Sequence, residues 1–248
     1  MSLSFAARPF HTFLLLASGC CSVCLADPVP GLIIPLHEVL VGTPTAGIIK
    51  EILVKEGDTV TQGQVLAVLE DDMEKLEAER AAKVLEKTKF DRDATQKLLA
   101  DNIATREAAL GKSIEHELAR IQLEAAQVRL RQRTLRAPMQ GIVVKRVKEP
   151  GEAILLNETL MQIVHIEQVY AQFYVEPAQI VALKTGSKLP LRVPSLEEPR
   201  ELTGEVDFVD PRLDAESGLY RIKVRLENPE LRLKAGMRVE AEIAKPKA

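Results

Sequence analysis

The strongest constraint on this chain is a repeat that has been cut in two. One copy runs Ala46-Gly47-Ile48-Ile49, then Val54-Lys55-Glu56-Gly57-Asp58-Thr59-Val60, then Gly63-Gln64-Val65-Leu66-Ala67-Val68-Leu69. The other runs Gln140-Gly141-Ile142-Val143, then Val147-Lys148-Glu149-Pro150-Gly151-Glu152-Ala153-Ile154, then Glu158-Thr159-Leu160-Met161-Gln162-Ile163-Val164. In each, the leading glycine (47 or 141) is followed ten positions on by a turn glycine (57 or 151), and nine further on by a leucine (66 or 160). Short β-branched strands punctuated by glycine turns make up each copy, and either alone is too small to bury a core. The copies are therefore expected to close on each other, residues 44–70 against 136–166, with whatever lies between them held outside as an insertion.

That insertion reads as helix. Residues 71–135 contain no proline and a single glycine, Gly111, and are rich in Ala, Glu, Lys, Arg, Leu and Gln, all strong helix formers. A break falls near Ala100-Asp101-Asn102-Ile103-Ala104-Thr105, where Asn102 suits a helix end and Thr105 suits the cap of a second helix. Two antiparallel arms follow, projecting roughly 45 Å at 1.5 Å per residue. In the second arm Ile114, Leu118, Ile121, Ala125, Val128, Gln132 and Leu135 alternate steps of four and three, which predicts a coiled-coil seam along that face. The first arm offers a less apolar seam, Ala78, Ala81, Leu85, Thr88, Arg92, Thr95 and Leu99, in which Arg92 must reach solvent or an acid.

The N-terminus is an export signal by pattern. Residues 1–26 hold Arg8 and no acid, with an apolar stretch Phe13-Leu14-Leu15-Leu16-Ala17 and a small-residue end at Ala26. Polar breaks at Ser18, Gly19 and Ser22 leave it short of the ~20 apolar residues a membrane span needs. Cleavage after Ala26 is the reading adopted. The alternative is lipidation of Cys20, because Leu16-Ala17-Ser18-Gly19-Cys20 resembles a lipobox. All three cysteines (Cys20, Cys21 and Cys24) lie in this segment, so a chain cleaved after Ala26 has no disulfide, thiolate metal site or cysteine nucleophile. Residues 27–43 read as a lead-in to the first half-repeat.

Beyond residue 166, a stretch Val169–Glu176 and further strands at 188–193, 201–209, 219–226 and 237–243 are separated by Pro, Gly, Asp and Asn. That spacing predicts a small antiparallel barrel over 167–248. The fold class expected is mixed α and β and multidomain: a split β-sandwich with an inserted coiled-coil hairpin, followed by the barrel.

The two half-repeats resemble the halves of a biotinyl/lipoyl domain, and Ala137-Pro138-Met139-Gln140-Gly141 is similar to the segment that opens that domain's second half. In a carrier, a lysine sits on the hairpin between the halves. Here the nearest is Lys75, within Asp72-Met73-Glu74-Lys75-Leu76, which lacks the carrier flanks and falls at a helix start. Gly204-Glu205-Val206, Val209-Asp210-Pro211, Asp214, and Glu227-Asn228-Pro229 running to Leu233-Lys234-Ala235-Gly236-Met237 resemble the barrel signature of HlyD-type and RND-type periplasmic adaptors, the membrane fusion proteins. The resemblance implies a homo-oligomer, typically a hexamer, in the periplasm and associated with the inner membrane. It would join an inner-membrane transporter of RND or ABC type to a TolC-like outer-membrane channel. It also implies that the hairpin tip makes the channel contact, here through Leu98, Asn102, Ile103 and Thr105. Ala94 stands where RND adaptors carry arginine, Glu216-Ser217-Gly218-Leu219 where many carry Thr-Arg-Thr, and Ala235 where proline is common. The end at Ala248, soon after the last barrel strand, leads to the expectation of a short form without the membrane-proximal domain.

Other chemistries find little support. Aromatic residues make up 4% of the chain, Trp is absent and the formal charge is −3 with both signs interspersed, which disfavours nucleic acid as a partner. There is no Walker loop, Gly-x-Ser-x-Gly elbow or Asp-Phe-Gly sequence. His11, His37, His116 and His165 are far apart in sequence, and Met73, Met139, Met161 and Met237 are scattered singly, so no metal site and no cofactor are expected. The expected activity is assembly, not catalysis; the alternatives are a lipoyl- or biotinyl-type carrier and a free-standing periplasmic scaffold.

Overall fold

The computed structural model describes residues 28–181, 183–197 and 201–243. The export signal and Cys20 lie outside the described residues. Twelve strands and three helices follow in order: β1 (Val29–Gly42), β2 (Gly47–Ile52), β3 (Thr59–Val60), β4 (Val65–Leu69), α1 (Asp72–Ala100), α2 (Arg106–Gln132), β5 (Thr134–Arg136), β6 (Gly141–Arg146), β7 (Ala153–Ile154), β8 (Thr159–Val175), α3 (Pro177–Ile180), β9 (Lys188–Arg192), β10 (Glu201–Leu213), β11 (Tyr220–Glu227) and β12 (Arg238–Ala241).

The half-repeats interlock by exchanging strands. β2 of the first pairs with β7 of the second (Gly47 opposite Ile154), and β6 of the second pairs with β3 of the first (Val60 opposite Gly141). The backbone bonds are written twice, once per copy. Gly57 N–H donates to Val143 O at 2.8 Å and Gly151 N–H to Ile49 O at 2.7 Å; Leu53 N–H donates to Leu66 O and Val147 N–H to Leu160 O, both at 2.8 Å. Gly57 (φ +93°) and Gly151 (φ +89°) turn in the left-handed region, which a side chain adopts only at a cost. The core between the copies holds Ile49, Val60, Leu66, Val143, Ile154 and Leu160, each at most 1% exposed.

The barrel closes with six strands in the order β1-β12-β9-β10-β11-β8, β8 returning to pair with β1. Phe173, Ile33, Leu191, Ile222 and Val239 fill it. The segment expected as a lead-in is therefore structural: β1 is a 14-residue strand, with Ile33 in the barrel core and Val41 in the sandwich core. β8, 17 residues long, runs the same course, so a two-stranded ribbon links the units. Pro30 and Pro35 concealed β1 in the sequence, since proline cannot donate to a ladder; Pro35 sits at a register shift against β8.

The hairpin consists of a 29-residue and a 27-residue helix, about 40 Å long. Asn102 takes φ +59° at the turn, and the Thr105 side chain caps α2 by accepting from Ala108 N–H at 3.1 Å. The α1 seam is the expected one: Ala81 is buried, Ala78, Leu85, Thr88, Arg92, Thr95 and Leu99 are half-buried, and Arg92 pairs with Asp93 at 2.6 Å. The α2 seam is not. Ala109, Ala119 and Ala126 are buried, with His116, Leu123 and Leu130 half-buried beside them. Ile114, Leu118, Ile121 and Val128 are 52%, 55%, 50% and 39% exposed on the far side, and Leu135 leaves the helix for β5, buried in the sandwich core. The two stripes share one period and differ by two residues, a rotation of about 200°. The base of the hairpin selects between them. β5 pairs with β4 (Thr134 opposite Val68), and Arg133 reaches Glu74 at 2.5 Å and Ala46 O at 2.9 Å. These long-range bonds set the phase of α2, and the alanines it turns toward α1 permit close approach of the two backbones.

Candidate functional site

The four expected contact residues come together at the tip, Leu98 in the last turn of α1, Asn102 and Ile103 in the connecting turn and Thr105 at the cap of α2. Leu98 and Ile103 are 44% and 73% exposed, and the Leu98 carbonyl accepts from Ile103 N–H at 2.8 Å and Ala104 N–H at 3.1 Å. Asn102 holds the left-handed turn between them, and the Thr105 hydroxyl oxygen is engaged as the α2 cap. The loop is thus preorganised to present Leu98 and Ile103 on a capped turn. Sequence reasoning missed Phe90 (73% exposed), Leu110 (63%) and the outward stripe of α2. The heptad pattern of the second arm carries that signal, but by hydrophobicity alone it predicts a buried seam.

At the base, Lys75 Nζ lies 2.8 Å from the buried Asp71 carboxylate. That hydrogen bond holds the ammonium pKa above its ordinary value, against a smaller opposing effect of desolvation. The lysine is therefore tied to the first turn of α1 by an i, i+4 pair.

The barrel signature residues do structural work. Asn228, 4% exposed, donates to Ile166 O (2.7 Å) and Leu233 O (2.9 Å) and accepts from Leu233 N–H (2.9 Å), so its amide ties the loop before β12 to β8. Asp214 closes the β10–β11 turn by accepting from the backbone N–H groups of Ser217 (2.9 Å) and Glu216 (3.0 Å); these bonds, Ser217 first, depress its pKa. Asp210, 5% exposed, accepts from Arg212 Nε at 3.2 Å and Arg221 Nη2 at 2.8 Å, and the Arg212 bond leads the causes holding its carboxyl below the usual range. The open cavity beside them, about 300 Å³, is lined by Tyr174, Asp210, Arg212, Leu213, Asp214 and Arg221.

The histidines are less dispersed than their sequence positions suggest. His37 and His165 face each other across β1 and β8 with ring centroids 6.4 Å apart. Among the described residues no group of three or more His, Cys, Asp or Glu is placed to hold a metal ion, and no helix is long and apolar enough to cross a membrane.

A sandwich of interlocked half-repeats, a hairpin projecting from between them and a barrel sharing two of their strands together define a membrane-fusion adaptor of the HlyD/RND type. The profile described as CzcB-like, barrel-sandwich hybrid domain matches residues 37–165 and the CusB-like β-barrel domain matches residues 168–247. The chain belongs to the CzcB-like barrel-sandwich hybrid family. It is 25% identical over 213 residues to the cobalt-zinc-cadmium resistance protein CzcB of Cupriavidus metallidurans, an alignment covering 80% of this chain and 41% of that one. The chain thus spans about two fifths of that relative's length. Its fold is similar to a MacA–MexA chimera carrying the Pseudomonas aeruginosa MexA α-hairpin domain (TM-score 0.79, 21% identity, 88% of this chain and 81% of that one). It is also similar to the membrane fusion protein Spr0693 of Streptococcus pneumoniae (TM-score 0.72, 19% identity, 88% and 100%).

Proposed function

We propose that this protein is a periplasmic adaptor of a multi-component export system. In this reading copies of the chain assemble into a ring, typically six, that bridges an inner-membrane transporter of RND or ABC type and a TolC-like outer-membrane channel. The tip residues Leu98, Asn102, Ile103 and Thr105 meet the channel, and sandwich and barrel stack toward the transporter. Association with the inner membrane follows either from those contacts after cleavage at Ala26 or from a lipid on Cys20. Loss of membrane fractionation in a Cys20→Ser form distinguishes the second route.

The observation that carries the reading is the hairpin itself. A two-helix rod exposes more surface than one seam of alanines and leucines can bury, and it ends in a capped loop with Leu98 and Ile103 outward. Such a device holds a partner at a distance and supplies no enclosed site for chemistry. Removing residues 90–112 abolishes export while sandwich and barrel remain folded by circular dichroism and thermal melting. Undiminished export by that deletion defeats the proposal. The relative named for cobalt, zinc and cadmium resistance makes divalent-cation export the first system in which to run the assay.

A further inference from the structure

The ribbon that joins sandwich to barrel carries two imidazoles side by side. His37 on β1 and His165 on β8 are directly opposed in the antiparallel register, which puts both side chains on one face. Their ring centroids are 6.4 Å apart and their planes are tilted by 51°. His37 is exposed and His165 half-buried, so a dissolved ion reaches both. A zinc–nitrogen bond of about 2.0–2.1 Å places the ion about 3.2 Å from each ring centre. Two imidazoles on one tetrahedral ion therefore have centres about 5 Å apart, and side-chain rotation at the exposed His37 closes the difference.

The charges along the two strands favour a cation. Glu38, next to His37, accepts from the Gln162 amide, and Glu167, two residues beyond His165, accepts from Gln140 Nε2 at 3.0 Å. Neither carboxylate forms an ion pair among the described residues, so both keep their negative charge beside the imidazoles. The backbone ladder is interrupted at the same place. Pro35 opposes Val169 and His37 opposes His165, so β1 advances two residues where β8 advances four, and Pro35 has no N–H to donate. The histidines form the first matched rung on the sandwich side of that irregularity. An ion held by one side chain from each strand would join the ribbon where its own hydrogen bonds lapse.

We infer that His37 and His165 form a binding site for a divalent first-row transition cation, and that the bound ion clasps β1 to β8 between sandwich and barrel. Imidazole selects zinc, copper and nickel over magnesium and calcium. With two protein ligands, water completes the coordination, which makes the site open and exchangeable and not a closed structural centre. The inference goes beyond the adaptor reading and does not depend on it, since the site is read from the two imidazoles and their strands.

The test is calorimetric titration of the untagged chain with Cys20, Cys21 and Cys24 replaced by serine. Zinc binds at one ion per chain, copper(II) binds more tightly, and magnesium gives no heat. His37→Ala and His165→Ala each weaken zinc binding tenfold or more, whereas His116→Ala leaves it unchanged; matching thermal melts in EDTA show that the variants fold, and the exposed His37 makes its variant the decisive one. Zinc also slows hydrogen exchange of the backbone amides of residues 36–40 in the parent chain and not in His37→Ala. Three outcomes overturn the inference. Absence of zinc binding by the parent leaves the histidines as a packing pair, undiminished binding by His37→Ala puts the ligands elsewhere, and exchange that is the same with and without zinc removes the clasp. None of these bears on export by the tip deletion, so the adaptor reading stands or falls separately.

Discussion

Two substitutions on α2 decide which of its faces is the seam. Ile121 is 50% exposed and Ala126 is 1% exposed. Truncating a packed isoleucine to alanine costs roughly 2–5 kcal/mol. Ile121 has no seam partner and keeps half its surface in water, so Ile121→Ala removes about 1 kcal/mol of burial at most. The better helix propensity of alanine returns about 0.4 kcal/mol, leaving a net effect of about 0.5 kcal/mol or less. Ala126→Leu forces three extra carbons between two close backbones and costs about 1–3 kcal/mol. The assay is urea unfolding followed by helical ellipticity, run dilute enough that the chain is monomeric and association does not contribute. A loss above about 2 kcal/mol in Ile121→Ala, with Ala126→Leu neutral, would refute the packing described and restore the seam through Ile114, Leu118 and Ile121.

Asn228→Ala leaves three buried backbone groups (Ile166 O, Leu233 O and Leu233 N) without their partner and is expected to cost about 3 kcal/mol, read as a shift in the urea midpoint; a loss below about 1 kcal/mol contradicts the network. Asp210 has a folded pKa held below its ordinary value by Arg212 and Arg221, so the unfolded chain takes up this proton first as the pH falls. Its stabilisation is complete above the unfolded carboxylate value, about 3.9, and is lost as the pH drops through the lower folded one. Thermal melts from pH 7 to pH 3 should therefore fall less steeply for Asp210→Asn than for the parent chain, and parallel curves would count against the ion pairs.

Local regularities were legible without tertiary information. The matched glycines and leucines of the half-repeats announced two copies that had to close together. A proline-free insertion with a break at Asn102 and a capping Thr105 announced a hairpin and the place of its tip. Even the modest seam from Ala78 to Leu99 was readable, because only one face of α1 carries small and apolar residues at the required spacing. α2 offered two such faces, and greater hydrophobicity pointed to the wrong one.

What the sequence alone determined about this protein is its inventory of periods and breaks: turn positions, helix lengths, and the pairing of one half-repeat with the other. The tertiary structure decided the phases and the long-range partners. It turned α2 so that alanines meet α1, drew residues 29–42 with their two prolines into both cores, set His37 opposite His165, and gave Asn228 its three backbone bonds. Periodicity specifies how often a side chain faces a given direction but not which direction. That choice is made by contacts such as Arg133 with Glu74, between residues far apart in the chain.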